Sequence, residues 1–141
     1  HTNWDTHYNN FEVLKNDLLP HLDSGLPTLI RDLEQRGMLD TTLVCVMGEF
    51  GRTPRVNQYA GRDHWGPSNT ILLTGGGIKG AQVIGATNPR GERPASDPVG
   101  PEDLAATMYH CLGIDGTNEY HTPEGRPVKI VNDGRVISGI V

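Results

Sequence analysis

The run Leu43-Val44-Cys45-Val46-Met47 constrains this chain more than any other stretch, because five apolar residues stop abruptly at Gly48-Glu49-Phe50-Gly51-Arg52. A short valine-rich run bounded by polar turn residues reads as a strand buried on both faces. Strands of that kind belong to sheets covered by helices. The pattern therefore predicts an α/β chain with a mixed or mostly parallel sheet flanked by helices. In open α/β sheets ligands gather beyond the carboxyl ends of the strands, which is where Glu49 and Arg52 emerge. Trp4-Asp5-Thr6-His7 and Gly61-Arg62-Asp63-His64-Trp65 are two further polar clusters able to converge on the same edge.

Before the strand, Phe11 to Arg36 carries Leu14, Leu18, Leu22, Leu26, Leu29, Ile30 and Leu33 at three- and four-residue spacing, the stripe of an amphipathic helix. Pro20 and Pro27 each remove an amide and collide with the preceding turn, which predicts a kink or a break into two pieces. Gly37 is a natural cap, and Thr41 to Met47 follows as the central strand. Downstream, Thr70 to Thr74 reads as the neighbouring strand, closed by Gly75-Gly76-Gly77. Gln82 to Ile84 reads as a short edge strand and Ala86 to Val99 as surface loop. Pro101-Glu102-Asp103 opens another helix, with proline at its first position and acids where the dipole favours them. Leu104, Met108, Cys111 and Leu112 form its buried side, and Gly113 ends it. Asp133-Gly134, between Val128 to Val131 and Val136 to Val141, signals a hairpin.

A chain of 141 residues is one domain or part of a larger one. Its net charge of -5, with no basic cluster, excludes nucleic acid and anionic membrane as main partners. No apolar stretch approaches the roughly 18 residues of a membrane span. Cys45 in a strand and Cys111 in a helix, with no metal-like spacing, read as two buried free thiols. The first residue is not methionine and a motif begins at once with Trp4, so the expectation is a truncated product lacking an amino-terminal portion and any export signal. A truncated sheet leaves an unpaired edge, which invites a homodimer.

The chemistry-bearing residues are few. If Trp4 to Tyr8 is extended, Asp5 and His7 share one face, and a carboxylate and an imidazole two apart can grip one cation. The alternative is that Asp5 caps the next helix and His7 is an exposed loop histidine. The loop Gly48 to Pro67, twenty residues without obvious secondary structure, is longer than a compact domain tolerates unless it has a function. It holds Glu49, Arg52, Arg55, Asp63, His64 and Trp65. Mixed histidine and carboxylate ligands without thiolate suit Zn²⁺ or Mn²⁺, which polarise phosphoryl or sulfuryl oxygens or acidify a water. Arg52 and Asp63 are the candidate catalytic residues, Arg52 as a planar fork for an oxyanion. The structural alternative pairs Arg52 with Glu49 or Asp63 merely to hold the loop shut.

Asn3-Trp4-Asp5-Thr6-His7, the leucine-striped helix, Leu39-Asp40-Thr41-Thr42-Leu43-Val44, Met47-Gly48-Glu49-Phe50-Gly51-Arg52-Thr53-Pro54 and Gly61-Arg62-Asp63-His64-Trp65 together resemble an uncharacterised sulfatase-like family of the alkaline phosphatase superfamily. Pro101-Glu102-Asp103-Leu104-Ala105-Ala106-Thr107 and Gly125-Arg126-Pro127 extend the resemblance over nearly the whole chain. It implies that residues 1–141 are the carboxyl-terminal part of a sulfatase or alkaline-phosphatase-like catalytic domain, a partial form of that fold. It implies one metal on Asp5, His7 and His64, and a strand ending in an Asp-His pair for a second. Glu49 and Phe50 stand in that place: glutamate can still ligate, with one more methylene of reach, which makes Glu49 a further candidate metal ligand, whereas phenylalanine cannot. The nucleophile is implied on an earlier strand, so the expectation is that this chain carries metal ligands without the nucleophile. Hydrolysis of small-molecule or glycan sulfate or phosphate esters is the implied activity, and a secreted or periplasmic location follows from family habit. The competing expectations are a non-catalytic metal- or anion-binding module and a purely structural fragment.

Overall fold

The computed structural model describes residues 4–141, so Asn3 of the first motif lies outside the described residues. The elements run α1 (Asn10–Val13), a π-helical turn (Leu14–Leu18), α2 (Leu19–Gln35), a 3₁₀ turn (Leu39–Thr41), β1 (Val44–Val46), β2 (Gly51–Arg52), β3 (His64–Trp65), β4 (Leu72–Thr74), β5 (Ala86–Thr87), β6 (Pro94–Ser96), α3 (Pro101–Cys111), β7 (Glu119–His121) and β8 (Pro127–Lys129). The chain is α/β. The expected mixed or mostly parallel sheet is not formed among the described residues, where the strands pair only in twos and only antiparallel: β1 with β4, β2 with β3, β5 with β6 and β7 with β8.

The leucine stripe does make a helix, and the prolines bend its hydrogen bonding without breaking it. Helical structure continues from Asn10 to Gln35, with Pro27 inside α2. Pro20 cannot donate to the carbonyl of Asn16, and its ring presses on that carbonyl. The wider π turn at Leu14–Leu18, immediately before it, is where the helix takes up that mismatch. Leu18 and Leu33 are buried, whereas Leu29 is 47% exposed, so the stripe is covered only in part. Burying a leucine stabilises by about 1.5–3 kcal/mol.

β1 is shorter than Thr41 to Met47 because the turn after its partner folds over its start. The Leu39 carbonyl accepts from both Thr42 and Gly76, and Gly75 lies where a Cβ would strike the Thr42 carbonyl. Gly75, Gly76 and Gly77 all have positive φ, conformations that favour glycine. Val44, Cys45 and Val46 are half-buried, since a two-stranded ladder leaves an edge and part of a face open. Both cysteines are free and half-buried, and desolvation pushes the Cys45 thiol up.

α3 forms where its sequence places it. The Asp103 carboxylate accepts the Gly100 amide at 3.1 Å, closing the first turn, and Gly113 ends the helix at positive φ. Leu104 is buried, but Leu112 is 64% exposed, and the fully buried residue is Thr107. Its hydroxyl donates to the Asp103 carbonyl at 2.7 Å and accepts the Ile137 amide at 3.0 Å. The Arg135 amide reaches the other Asp103 oxygen at 2.9 Å. These bonds explain why Asp133-Gly134 does not turn a hairpin: the backbone after it is tied to helix side chains instead of to a strand. The hairpin lies earlier, between β7 and β8. Gln82 to Ile84 forms no strand, Val83 being 92% exposed, and the segment read as plain loop from Ala86 to Val99 contains the β5–β6 pair.

The buried apolar set is Leu18, Leu33, Leu104, Ala106, Val131 and Ile140. The accessible surface is 10169 Å², against about 7,200 Å² for a compact monomer of this mass. No helix among the described residues is long and apolar enough to cross a membrane.

Candidate metal centre

Three segments far apart in sequence meet at one place. Trp4 to Tyr8 is not extended: the Thr6 amide bonds the Trp4 carbonyl and the His7 amide the Asp5 carbonyl, each at 3.1 Å. These two successive tight turns curl the segment, and they still bring Asp5 and His7 together. The β2–β3 pair sets Arg52 opposite His64, giving the long loop the short ladder that its sequence did not advertise. Between them, Gly61 passes so close to His7 that a Cβ would collide with the His7 carbonyl.

Asp5 Oδ1 lies 3.0 Å from His7 Nε2 and 2.8 Å from His64 Nε2. The two imidazole nitrogens are 3.1 Å apart. Three ligand-type atoms therefore face one point, within reach of solvent. Donors about 2.0–2.1 Å from a common ion are separated by such distances when they subtend about 85–100° at it. The triangle thus fits one divalent cation with open positions remaining.

The surroundings fix each corner. Asp63 Oδ1 accepts His7 Nδ1–H at 2.7 Å. A carboxylate only accepts, so this bond puts the ring proton on Nδ1 and leaves the Nε2 lone pair facing Asp5 and His64. Asn57 donates to the same Asp63 oxygen and to the His7 carbonyl, each at 3.1 Å. Arg52 Nη2 donates to Asp5 Oδ1 at 2.6 Å and to the Trp4 carbonyl at 3.0 Å, while Nη1 donates to the Arg62 carbonyl at 3.1 Å. Phe50 lies over the His64 ring, centroids 4.1 Å apart. Hydrogen bonds from His64 and then Arg52 hold the Asp5 carboxyl down at about 2. The His7 hydrogen bond lowers Asp63 in the same direction.

Of the residues singled out in sequence, Asp5, His7 and His64 come together, Asp63 stands behind His7, and Arg52 grips Asp5 in place of Glu49 or Asp63. Glu49 is not brought to the group. The chain bends after β1, the apolar Phe50 packs on His64, and the neighbouring carboxylate stays in solvent. Asn57 was missed. Its Oδ1 accepts the Tyr59 and Gly61 amides, each at 2.9 Å, a side-chain-built turn that an asparagine four residues before a glycine could have signalled.

The fold and this cluster define an α/β protein in which two histidines and a carboxylate, partly open to solvent, bring ligand-type atoms within 4.8 Å of one another. Across residues 1–141 the sequence matches the family described as "Protein of unknown function (DUF1501)", and the chain belongs to that family. Neither the curated proteins nor the solved structures contain a match to it.

Proposed function

We propose that Asp5, His7 and His64 hold one zinc or manganese ion in a hydrolase of sulfate or phosphate esters. The observation that carries the proposal is the Asp5–His7–His64 triangle with Asp63 fixing the His7 tautomer, a ligand set with its outer support already in place. When bound, such an ion polarises an ester oxygen or acidifies a water. Arg52 holds Asp5 in position and balances its charge. Holding an oxyanion with the same fork requires Asp5 to give up its share of the guanidinium. The finer fold assignment, a carboxyl-terminal part of an alkaline-phosphatase-like catalytic domain, rests on the motif resemblance alone.

Metal content by elemental analysis of protein purified without chelator, beside His64→Ala, tests the site. About one ion per chain, lost in the variant, is expected, and no ion in either after soaking overturns the metal centre. Turnover of 4-nitrophenyl sulfate and 4-nitrophenyl phosphate by a metal-loaded full-length version, which would supply the nucleophile that residues 1–141 do not carry, tests the hydrolase. A non-catalytic metal- or anion-binding module is favoured by Phe50, which packs on His64 next to the exposed Glu49. Metal uptake without turnover of either ester by the full-length version supports that alternative.

A further inference from the structure

Beside the metal ligands lies an open cavity of about 700 Å³, lined among others by His7, Asp63, Asn57, Tyr8, Tyr59 and Arg55. Tyr8 and Tyr59 are 62% and 53% exposed although their rings are 4.9 Å apart and tilted by 42°. Each keeps most of its surface open while touching the other. Their placement is set by backbone: the Asn9 amide bonds the Tyr59 carbonyl at 3.1 Å and the Asn10 amide the Ala60 carbonyl at 2.9 Å. The Tyr59 amide is held in turn by Asn57 at 2.9 Å. These bonds hold the two backbone segments that carry the rings side by side.

The remaining donors complete the picture. Asp63 and Asn57 are committed to His7 and to each other. Among the described residues the Arg55 guanidinium has no hydrogen bond or ion pair, so the cavity presents one uncommitted cation. Gln58 adds a polar side chain at the wall. Aromatic faces, an open guanidinium and a polar rim match a ring with an apolar face, hydroxyls around its edge and an anionic substituent. We infer that this cavity is a subsite for a pyranose ring bearing a sulfate or phosphate ester, with Tyr8 and Tyr59 taking the ring face and Arg55 an anionic group. The assignment of the ester to the reacting position rests on the metal centre proposed above. The ring site rests on the cavity alone.

Isothermal titration with glucosamine 6-sulfate, glucose 6-phosphate and inorganic sulfate tests it on metal-loaded wild type, Tyr8→Ala, Tyr59→Ala and Arg55→Gln. Binding of one or both sugar esters is expected to weaken about tenfold in each tyrosine variant and to weaken in Arg55→Gln, with metal content unchanged. Inorganic sulfate should respond to Arg55→Gln and not to the tyrosine variants. The sulfate and phosphate arms identify which ester the site prefers. Sugar-ester affinity unmoved in both tyrosine variants, or no sugar-ester binding by wild type, overturns the subsite while metal uptake stands. Tyrosine-dependent sugar binding in a chain that takes up no metal supports the ring site and overturns the metal centre instead. Tyr8→Ala, at a more exposed position, keeps the test decisive should Tyr59→Ala fail to fold.

Discussion

Replacing Asp63 probes how far the proposed metal centre depends on a residue outside its ligand set. Two donors converge on its Oδ1, His7 Nδ1 at 2.7 Å and Asn57 Nδ2 at 3.1 Å. Asp63→Ala removes the acceptor for both, freeing the imidazole to rotate and to take the wrong tautomer. Loss of such outer partners weakens metal binding by about 10–100-fold, and alanine, which deletes the whole anchor, belongs near 100-fold. Asp63→Asn keeps an amide oxygen that accepts from His7 and removes only the charge, so about tenfold is expected. Competition against a chromogenic zinc chelator measures both, on proteins matched by circular dichroism, with His64→Ala as the ligand-deleted reference. Asp63→Ala binding zinc as tightly as wild type refutes the role behind His7. Asp63→Asn falling as low as His64→Ala refutes it differently, by making Asp63 itself a ligand.

Asp5 gives a pH prediction. Its carboxyl is lowered from 3.8 to about 2 by the His64 and Arg52 hydrogen bonds. A carboxylate depressed on folding stabilises the folded state fully above its unfolded value, and that contribution disappears as pH falls through about 2. Carbon-detected titration of the metal-free protein should find Asp5 ionised well below 3.8, and Arg52→Gln should raise the midpoint; an unshifted midpoint in wild type sinks the geometry. Thr107→Val leaves the half-buried Ile137 amide without its acceptor and should cost about 1 kcal/mol, or about 4 °C of melting temperature, with faster hydrogen exchange at Ile137. Unchanged melting and exchange would contradict the tail's attachment to α3. Gly61→Ala, whose Cβ collides with the His7 carbonyl, should lower metal affinity. Gly25→Ala meets nothing within 4 Å inside α2, and should leave affinity alone while stabilising by about 0.5–1 kcal/mol.

The parts legible in sequence are those written in local chemistry. The leucine stripe, the proline-and-acid start of α3, and the glycines closing β4 and α3 each carry their own signal, and the structure places them accordingly. Pairing direction carries no such signal. An apolar run like Leu43 to Met47 looks the same in a parallel or an antiparallel ladder, and only the turn packed over its start limits it to three residues. The residues that cluster, Asp5, His7 and His64, were visible by type. Two of their roles depended on contacts between segments about 50 residues apart, which is why Arg52 on Asp5 and Asn57 under His7 emerge only from the structure. Thr107 was hidden for a related reason: a buried hydroxyl with one local and one distant partner looks in sequence like any helix threonine.

His7 and His64 are 57 residues apart in the chain, and an ion held by both closes everything between them into a loop, the long helix included. Chain statistics give such a closure a weight of about 4 kcal/mol, the scale of a disulfide spanning the same length. Unlike a disulfide, such a cross-link would open with a chelator and need no oxidant. Metal supply would then set how readily proteases find residues 48–63, apart from anything the ion does to a substrate.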